Sequence, residues 1–122
     1  MNNPVNWFEI YVQDMGRAKA FYEAVLGVQL MKLEGTEFEM WAFPMCQDGF
    51  GASGALVKIP GYPSGANSVV VYFSCADCAV EAEKAAKSGG QIEAGKKSLG
   101  QYGHIALVID TEGNIMGLHS MR

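Results

Sequence analysis

The order of apolar and polar residues in the first half of the chain predicts one strand, one helix and three further strands. Asn6–Gln13 carries bulky side chains that alternate between two faces, as in a strand. Asp14 is placed to cap a helix that runs to about Leu26, with apolar residues at helical spacing, and Gly27 ends it. Short strand-like segments follow: Val28–Leu33, Glu37–Phe43 and Ala52–Ile59.

The second half repeats this plan. Asp77 caps a second predicted helix through about Lys87, closed by Gly89 and Gly90. The two caps lie 63 positions apart, and so do Gly27 and Gly90. The predicted strands are Ser68–Ser74, Gln91–Glu93, Gly103–Ile109 and Asn114–Ser120, with a turn at Asp110–Gly113. A half-chain period of this kind predicts two βαβββ units in an α+β fold. The alternative is a ferredoxin-like α+β domain in which the spacing is accidental.

The predicted organisation is one domain over residues 1–122. Module one spans about 5–59, a linker rich in Pro and Gly spans 60–66, and module two spans about 67–121. The length fits a single domain, and 49% hydrophobic residues are enough to form a core.

Charge and composition exclude several classes of partner. The net charge is −4 and the nine Lys and Arg are scattered, so nucleic acid is not an expected partner. No apolar run approaches the ~20 residues that span a bilayer, so no membrane is expected. The first residues lack a signal-peptide pattern, and three cysteines do not suggest a disulfide framework. The expected location is the cytoplasm.

Two segments carry a resemblance to a known family. FEIYVQDMGRAKAFYEAVLGVQL (Phe8–Leu30) resembles the opening strand, helix and strand of vicinal-oxygen-chelate (VOC) proteins, which include glyoxalases and bleomycin-resistance proteins. DTEGNIMGLHS (Asp110–Ser120) resembles the closing turn and last strand of that family. The resemblance implies two βαβββ modules that curve into a half-open barrel around a pocket, usually in a homodimer. Members of that family include metal-dependent lyases, isomerases, epimerases and dioxygenases, and metal-free antibiotic-binding proteins.

The resemblance also implies four positions for metal ligands, normally His, Gln or Glu. In this chain they fall on Trp7, Val70, Gly117, and either Leu56 or Val57. None of these side chains donates a lone pair to a metal, so neither a metal nor another cofactor is expected. YGHIAL (Tyr102–Leu107) resembles a ligand-bearing strand, but it follows the second helix instead of preceding it. His104 is therefore predicted to be a structural or dimer-surface residue.

Strand alternation predicts what lines the pocket in place of the metal. Trp7 on the concave face implies that Glu9 and Tyr11 share that face. The same parity in module two gives Val70, Tyr72, Ser74, Gly117 and His119. Glu9 and His119 are then expected to point into one cavity. They could act as a general acid/base pair, or recognise a polar or cationic ligand stacked on Trp7 and Tyr72, or form an internal salt bridge.

The predicted function is binding of a small organic ligand in a pocket without the usual metal ligands. The alternative is a glyoxalase-type lyase or isomerase that uses Glu9 and His119 as acid and base or as a relocated metal site. A third class is a structural or protein-interaction module. Glu39 and Trp41 share one face of their strand and are expected to extend the wall. The predicted ligand-binding residues are Trp7, Glu9, Tyr11, Glu39, Trp41, Tyr72 and His119.

Two further motifs have simpler interpretations. The glycine-rich segment Gly49–Gly54 lacks the Gly-Lys-Ser/Thr of a phosphate loop and is predicted to be a lid or the edge of the pocket mouth. Cys75 and Cys78 form a CxxC before a helix, where a redox pair could lie. The offset of 63 matches them to the apolar Val12 and Met15, which favours a core-filling role. Cys46 is isolated in the sequence.

Overall fold

The computed structural model describes residues 3–45, 51–65, 68–111 and 113–122. The chain forms two compact units. The first-module unit comprises Trp7–Val69, and the second-module unit comprises Met1–Asn6 together with Val70–Arg122. Each unit is built from a four-stranded sheet and one helix.

The first-module unit contains the βαβββ order that the hydrophobic pattern predicts. Its first and last strands along the chain, β1 (Val5–Tyr11) and β4 (Ser53–Lys58), pair in parallel. Strand β3 (Glu39–Ala42) runs antiparallel to β4, and β2 (Met31–Lys32) runs antiparallel to β3. The strand order across this part of the sheet is β2-β3-β4-β1. The elements are β1 (Val5–Tyr11), α1 (Met15–Leu26), β2 (Met31–Lys32), β3 (Glu39–Ala42) and β4 (Ser53–Lys58).

Helix α1 begins and ends at the predicted residues. The Asp14 side chain accepts a hydrogen bond from the Arg17 N–H at 3.0 Å, which satisfies one of the free donors of the first turn. Gly27 has φ 66°, the left-handed conformation that favours glycine at a helix end. The helix covers one face of the sheet, where a buried cluster comprises Val12, Met15, Leu30 and Leu56.

The second-module unit repeats this architecture. Strands β5 and β8 pair in parallel, and β7 runs antiparallel to both β8 and β6, in the order β5-β8-β7-β6. Its buried cluster against the helix comprises Cys78, Ala82, Ala106, Val108 and Leu118. The elements are β5 (Val69–Ser74), α2 (Cys78–Lys87), β6 (Gln91–Ser98), a 3-10 turn (Gly100–Tyr102), β7 (His104–Ile109) and β8 (Ile115–Ser120).

The predicted α+β class and the two βαβββ modules are confirmed, but some boundaries differ. Strand β2 has two residues, whereas Val28–Leu33 was expected to be extended. Strand β6 runs to Ser98, beyond the predicted Gln91–Glu93, and all its residues are exposed. Its pairing with β7 is interrupted by register shifts, so the segment shows no regular apolar alternation. After α2, Gly89 has φ 99° and belongs to the Gly89–Gly90 pair that was expected to close the helix.

The predicted lid Gly49–Gly54 is only partly described. Residues 46–50, which include Cys46, lie outside the described residues. Ser53 and Gly54 belong to β4 and not to a loop. A Cβ on Gly54 would lie 2.4 Å from the Phe8 ring, so this glycine allows the ring to lie against the neighbouring strand. Within the described ranges, neither α1 nor α2 is long and apolar enough to cross a membrane.

Candidate functional site

Three side chains on one face of β1 form a hydrogen-bonded group. The Trp7 indole Nε1 donates to Glu9 Oε2 at 3.1 Å, and the Tyr11 hydroxyl donates to Glu9 Oε1 at 2.9 Å. The three residues are two positions apart along a strand, which places them on the same face as predicted. We call this group the β1 clamp, because a neutral donor on each side fixes the Glu9 carboxylate. Glu9 is half-buried and Tyr11 is buried.

The strand next to the β1 clamp presents small, buried residues on the same face. Ala55 pairs with Glu9, and Ala42 on β3 pairs with Ala55. Both alanines are at most 1% exposed. Val57 pairs with Tyr11 and faces the same way, whereas Leu56 lies in the helix-side cluster. The register therefore selects Val57 from the two candidates for the family's metal position on β4.

Tyr62, in the predicted linker, extends the aromatic group beyond β1. Its ring lies 5.3 Å from the Tyr11 ring, centroid to centroid, with the planes 37° apart. The Gln13 side chain donates to the Tyr62 carbonyl at 2.9 Å, and the Tyr62 N–H donates to the Ile59 carbonyl at 3.0 Å. The sequence pattern did not predict a role for this residue. The available signal was a tyrosine between two prolines, Pro60-Gly61-Tyr62-Pro63, in a segment otherwise free of large side chains.

Glu39 and Trp41 lie on the opposite face of the same sheet. Trp41 pairs with Leu56 and packs against the cluster under α1. Its indole Nε1 donates to Glu39 Oε2 at 3.0 Å, and the ammonium Nζ of Lys19, on α1, lies 3.3 Å from the centre of its ring. The expectation that these two residues extend the wall formed by Trp7 and Glu9 does not fit this register. No anchor in the sequence fixed the parity of β3.

In the second-module unit, Tyr72 and His119 lie on one face as predicted. Tyr72 pairs with Gly117, and Ser74 pairs with His119. A Cβ on Gly117 would lie 2.2 Å from Tyr72 Cδ2, so the ring lies directly over the glycine. Tyr72 is 4% exposed and Val70 is 8% exposed. Glu9 and His119 belong to different compact units, and their convergence on one cavity stays a prediction.

Both ring nitrogens of His119 have hydrogen-bond partners. Nε2 donates to the Tyr102 carbonyl oxygen at 2.6 Å, and Nδ1 accepts from the Asn6 amide nitrogen at 3.2 Å. Because a carbonyl oxygen only accepts, this pattern assigns the donor role to Nε2 and the acceptor role to Nδ1. The Asn6 Oδ1 atom is buried and has no partner among the described residues. Proton exchange at His119 would require one of these two bonds to break.

The side chains at the family's metal positions do not fit a metal. Trp7 offers only an N–H donor, which Glu9 already accepts. Val57 and Val70 carry no donor atom, and the space beside Gly117 is filled by the Tyr72 ring. Across the described ranges, no group of three or more His, Cys, Asp or Glu is arranged to hold a metal ion.

The CxxC cysteines and His104 are built into the second-module unit. Cys78 is fully buried in the cluster under α2. Burial raises the pKa of the Cys75 thiol above its usual value, and the nearby Cys78, Glu81 and Asp77 raise it further. A reactive thiol needs a lowered pKa, so this environment does not activate Cys75. His104 is half-buried, and its Nδ1 has no hydrogen-bond partner in the described part of the chain.

Two open depressions lie away from the β1 clamp. One, of about 520 Å³, lies on the outer surface of α2, between Ala79 and Lys87. The other, of about 470 Å³, follows the turn from Lys32 to Glu39. Glu39 is the one predicted site residue that borders either of them.

Relatives by sequence support the resemblance. A profile of the family described as bleomycin resistance protein-like N-terminal matches residues 5–40. Putative glyoxylases CFP32 from Mycobacterium bovis and Mycobacterium tuberculosis are 30% identical over 112 residues, which is 92% of this chain. The chain spans 42% of the length of these curated relatives.

Solved structures with the same fold cover almost the whole chain. A methylmalonyl-CoA epimerase from Streptomyces coelicolor superposes with a TM-score of 0.67 at 17% identity, covering 98% of this chain and 95% of the epimerase. The Mycobacterium tuberculosis epimerase gives 0.67 at 15%, with coverage of 98% and 88%. A hypothetical protein from Bacillus halodurans gives 0.71 at 11%, with coverage of 100% and 96%. At these identities the likeness shows the fold alone.

Proposed function

We propose that this chain, which belongs to the vicinal-oxygen-chelate superfamily, binds a small organic molecule against the β1 clamp and does not transform it. The observation that carries the proposal is the Glu9 carboxylate, held at both oxygens by Trp7 and Tyr11. A small number of polar groups, fixed within an aromatic wall, is typical of small-molecule sites. These two bonds orient the carboxylate.

Orientation of the carboxylate lowers the cost of binding. A free glutamate loses side-chain entropy when a ligand fixes it, at a cost of about 1.5–2 kcal/mol. In the β1 clamp, part of that cost is met during folding, because Trp7 and Tyr11 already restrict the side chain. The Tyr62 ring packs against the Tyr11 ring in a tilted arrangement and extends the same aromatic group. This preorganisation favours recognition of a ligand by position and charge.

Catalysis is the second candidate, suggested by a sequence relative that is a putative glyoxylase and a structural neighbour that is a methylmalonyl-CoA epimerase. A metal-free reaction of that kind needs an acid and a base that exchange protons with the substrate. His119 uses both ring nitrogens within the protein, one with Asn6 and one with Tyr102. The side chains at the metal positions offer no lone pair that could hold a Lewis-acidic metal. These contacts support binding over turnover.

A thermal-shift screen of metal-stripped protein tests the proposal. Divalent metals and a library of small metabolites and antibiotics are added singly, and a ligand of the native state raises the melting temperature. The Glu9→Gln variant is expected to lose the shift. Glu39→Gln is the matched control, because Glu39 makes the same bond to a tryptophan on the other face. A metal-induced shift that Glu9→Gln or His119→Ala removes would instead indicate a relocated metal site and an enzyme.

The proposal includes a homodimer, as the resemblance to the superfamily suggests. Light scattering on the purified protein measures its mass directly. A mass of 13.1 kDa, that of one chain, would contradict the dimer.

A further inference from the structure

The first-module unit carries the same tryptophan–glutamate pair on both faces of its sheet. On β1 the indole N–H of Trp7 donates to Glu9 at 3.1 Å, and on β3 that of Trp41 donates to Glu39 at 3.0 Å. In each pair the two residues are two positions apart. The order is reversed along the chain, but β1 and β3 run in opposite directions. Both pairs therefore point the same way along the sheet.

The pair on β3 holds an ammonium group. Lys19 reaches from α1 and places its Nζ 3.3 Å from the centre of the Trp41 ring, well inside the range of a cation–π contact. Lys19 is half-buried, so its charge is partly removed from water and gains from the ring. An indole whose N–H donates to a carboxylate gains electron density, which strengthens the attraction of its face for a cation.

From this internal precedent we propose that the ligand of the β1 clamp is an organic ammonium ion, with its cationic nitrogen on the Trp7 ring and near Glu9. This inference rests on the proposed function and adds the chemical class of the ligand. The β1 clamp has the same chemistry as the pair that holds Lys19, and Tyr11 fixes the second carboxylate oxygen. The net charge of −4 also favours the approach of a cation.

The test compares molecules of one shape and different charge. Trp41→Phe leaves Trp7 as the one tryptophan, so fluorescence reports on the β1 clamp alone. Choline and tetramethylammonium are titrated, with 3,3-dimethylbutan-1-ol as the neutral isostere of choline. The ammonium ions are expected to shift Trp7 emission and to raise the melting temperature. The affinity of the isostere should be lower by about tenfold or more, because it lacks the cation–π and charge contacts.

Variants of the two glutamates show which tryptophan–glutamate pair binds choline. In the Trp41→Phe protein, Glu9→Gln is expected to weaken choline binding about tenfold, whereas Glu39→Gln leaves it unchanged. Equal binding of choline and its isostere, or equal loss in both variants, would overturn the inference. The comparison of choline with its isostere needs no glutamate variant. It therefore still tests whether binding requires the positive charge if Glu9→Gln fails to fold.

The comparison with the contact between Lys19 and Trp41 is tested by removing the Lys19 ammonium group. In a Lys19→Ala, Trp7→Phe protein, Trp41 is the one tryptophan and its ring has lost the ammonium. Butylammonium should then change Trp41 emission, and it should not do so while Lys19 is present. The absence of any response after Lys19→Ala would overturn the argument from precedent.

The outcomes also separate this inference from the proposed function. If neutral or anionic library compounds stabilise the protein in a Glu9-dependent way and ammonium ions do not, the ligand class is wrong and the binding function stands. If no compound of any charge class affects Trp7 emission or the melting temperature, both proposals fail.

Discussion

Two strand glycines show how single residues determine the packing of aromatic rings. Gly54 allows Phe8 to lie against β4, on the side covered by α1, and Gly117 allows Tyr72 to lie against β8. In both cases a Cβ would lie within 2.5 Å of ring atoms, a distance that packed side chains do not adopt. Any side chain at these positions therefore has to displace a ring.

The Gly117→Ala variant tests whether the packing of the Tyr72 ring depends on this glycine. The added Cβ would lie 2.2 Å from Tyr72 Cδ2, so the ring has to move out of its position. We expect a loss of about 1–3 kcal/mol in the free energy of unfolding, measured by urea denaturation. Gly95→Ala is the control, because nothing lies within 4 Å of a Cβ there and the position is exposed. Equal stability of the two variants would show that Tyr72 does not depend on the glycine.

At the level of single residues, sequence alternation predicted which side chains of the candidate site share one face of β1. Trp7, Glu9 and Tyr11 share a face because strand geometry requires it. Tyr62 could not be found in this way, since it reaches Tyr11 through a turn. The hydrogen-bond partners of His119 were also not predicted, because one is a backbone carbonyl and the other, Asn6, is distant in sequence.

Among the elements, helix α2 combines a cap with an ion pair. Asp77 accepts from the Ala79 N–H at 3.1 Å and from the Lys96 ammonium at 2.9 Å. The bond from Lys96 is the main cause that lowers the pKa of Asp77, and the bond from Ala79 lowers it further. A lowered pKa means that the folded protein favours the charged carboxylate. This contribution to stability is present above the unfolded-state pKa and is lost as the pH falls through the folded-state pKa.

Asp77→Ala should therefore destabilise the protein at neutral pH and much less in acid. The difference from the wild type, measured by urea denaturation between pH 7 and pH 2.5, is expected to shrink as the pH falls. Lys96→Met removes the ion pair but keeps the cap, so it should show part of the loss at neutral pH. A difference between Asp77→Ala and wild type that is the same at every pH would contradict this role of the charge.

Both helices were predicted well from the sequence because each has a local start signal in its aspartate cap. The strands were predicted less well at the edges of the sheets. β2 and β6 are exposed, so burial imposes no apolar alternation on them, and their bounds depend on pairing with β3 and β7. The parity of β3 likewise depends on its register with β4, which placed Trp41 and Glu39 on the helix side.

At the scale of the whole molecule, the first residues of the chain belong to the second-module unit. The Ser74 N–H donates to the Pro4 carbonyl at 2.7 Å, and Asn6 donates to His119 at 3.2 Å. β1 therefore begins in one compact unit and continues in the other.

Deleting residues 1–6 is expected to destabilise the second-module unit first. Hydrogen exchange should become faster in β5 and β8, which lose the contacts of Pro4 and Asn6, than in β3 and β4. Asn6→Ala, which removes the bond to His119 alone, should lower the free energy of unfolding by about 1 kcal/mol. Exchange that accelerates equally in all four strands would contradict this assignment of the N-terminal segment.

The N-terminal segment also limits how such a chain can be recombined. The predicted repeat starts with the whole of β1, but the boundary between the two compact units along the chain falls within that strand, after Asn6. A genetic exchange at the start of the repeat would give the second-module unit a foreign Asn6, and with it a new neighbour for His119. Crossovers after residues 6 and 69 would transfer the first-module unit intact. Chimeras with related proteins are therefore better joined inside strands than in the glycine-rich turns between them.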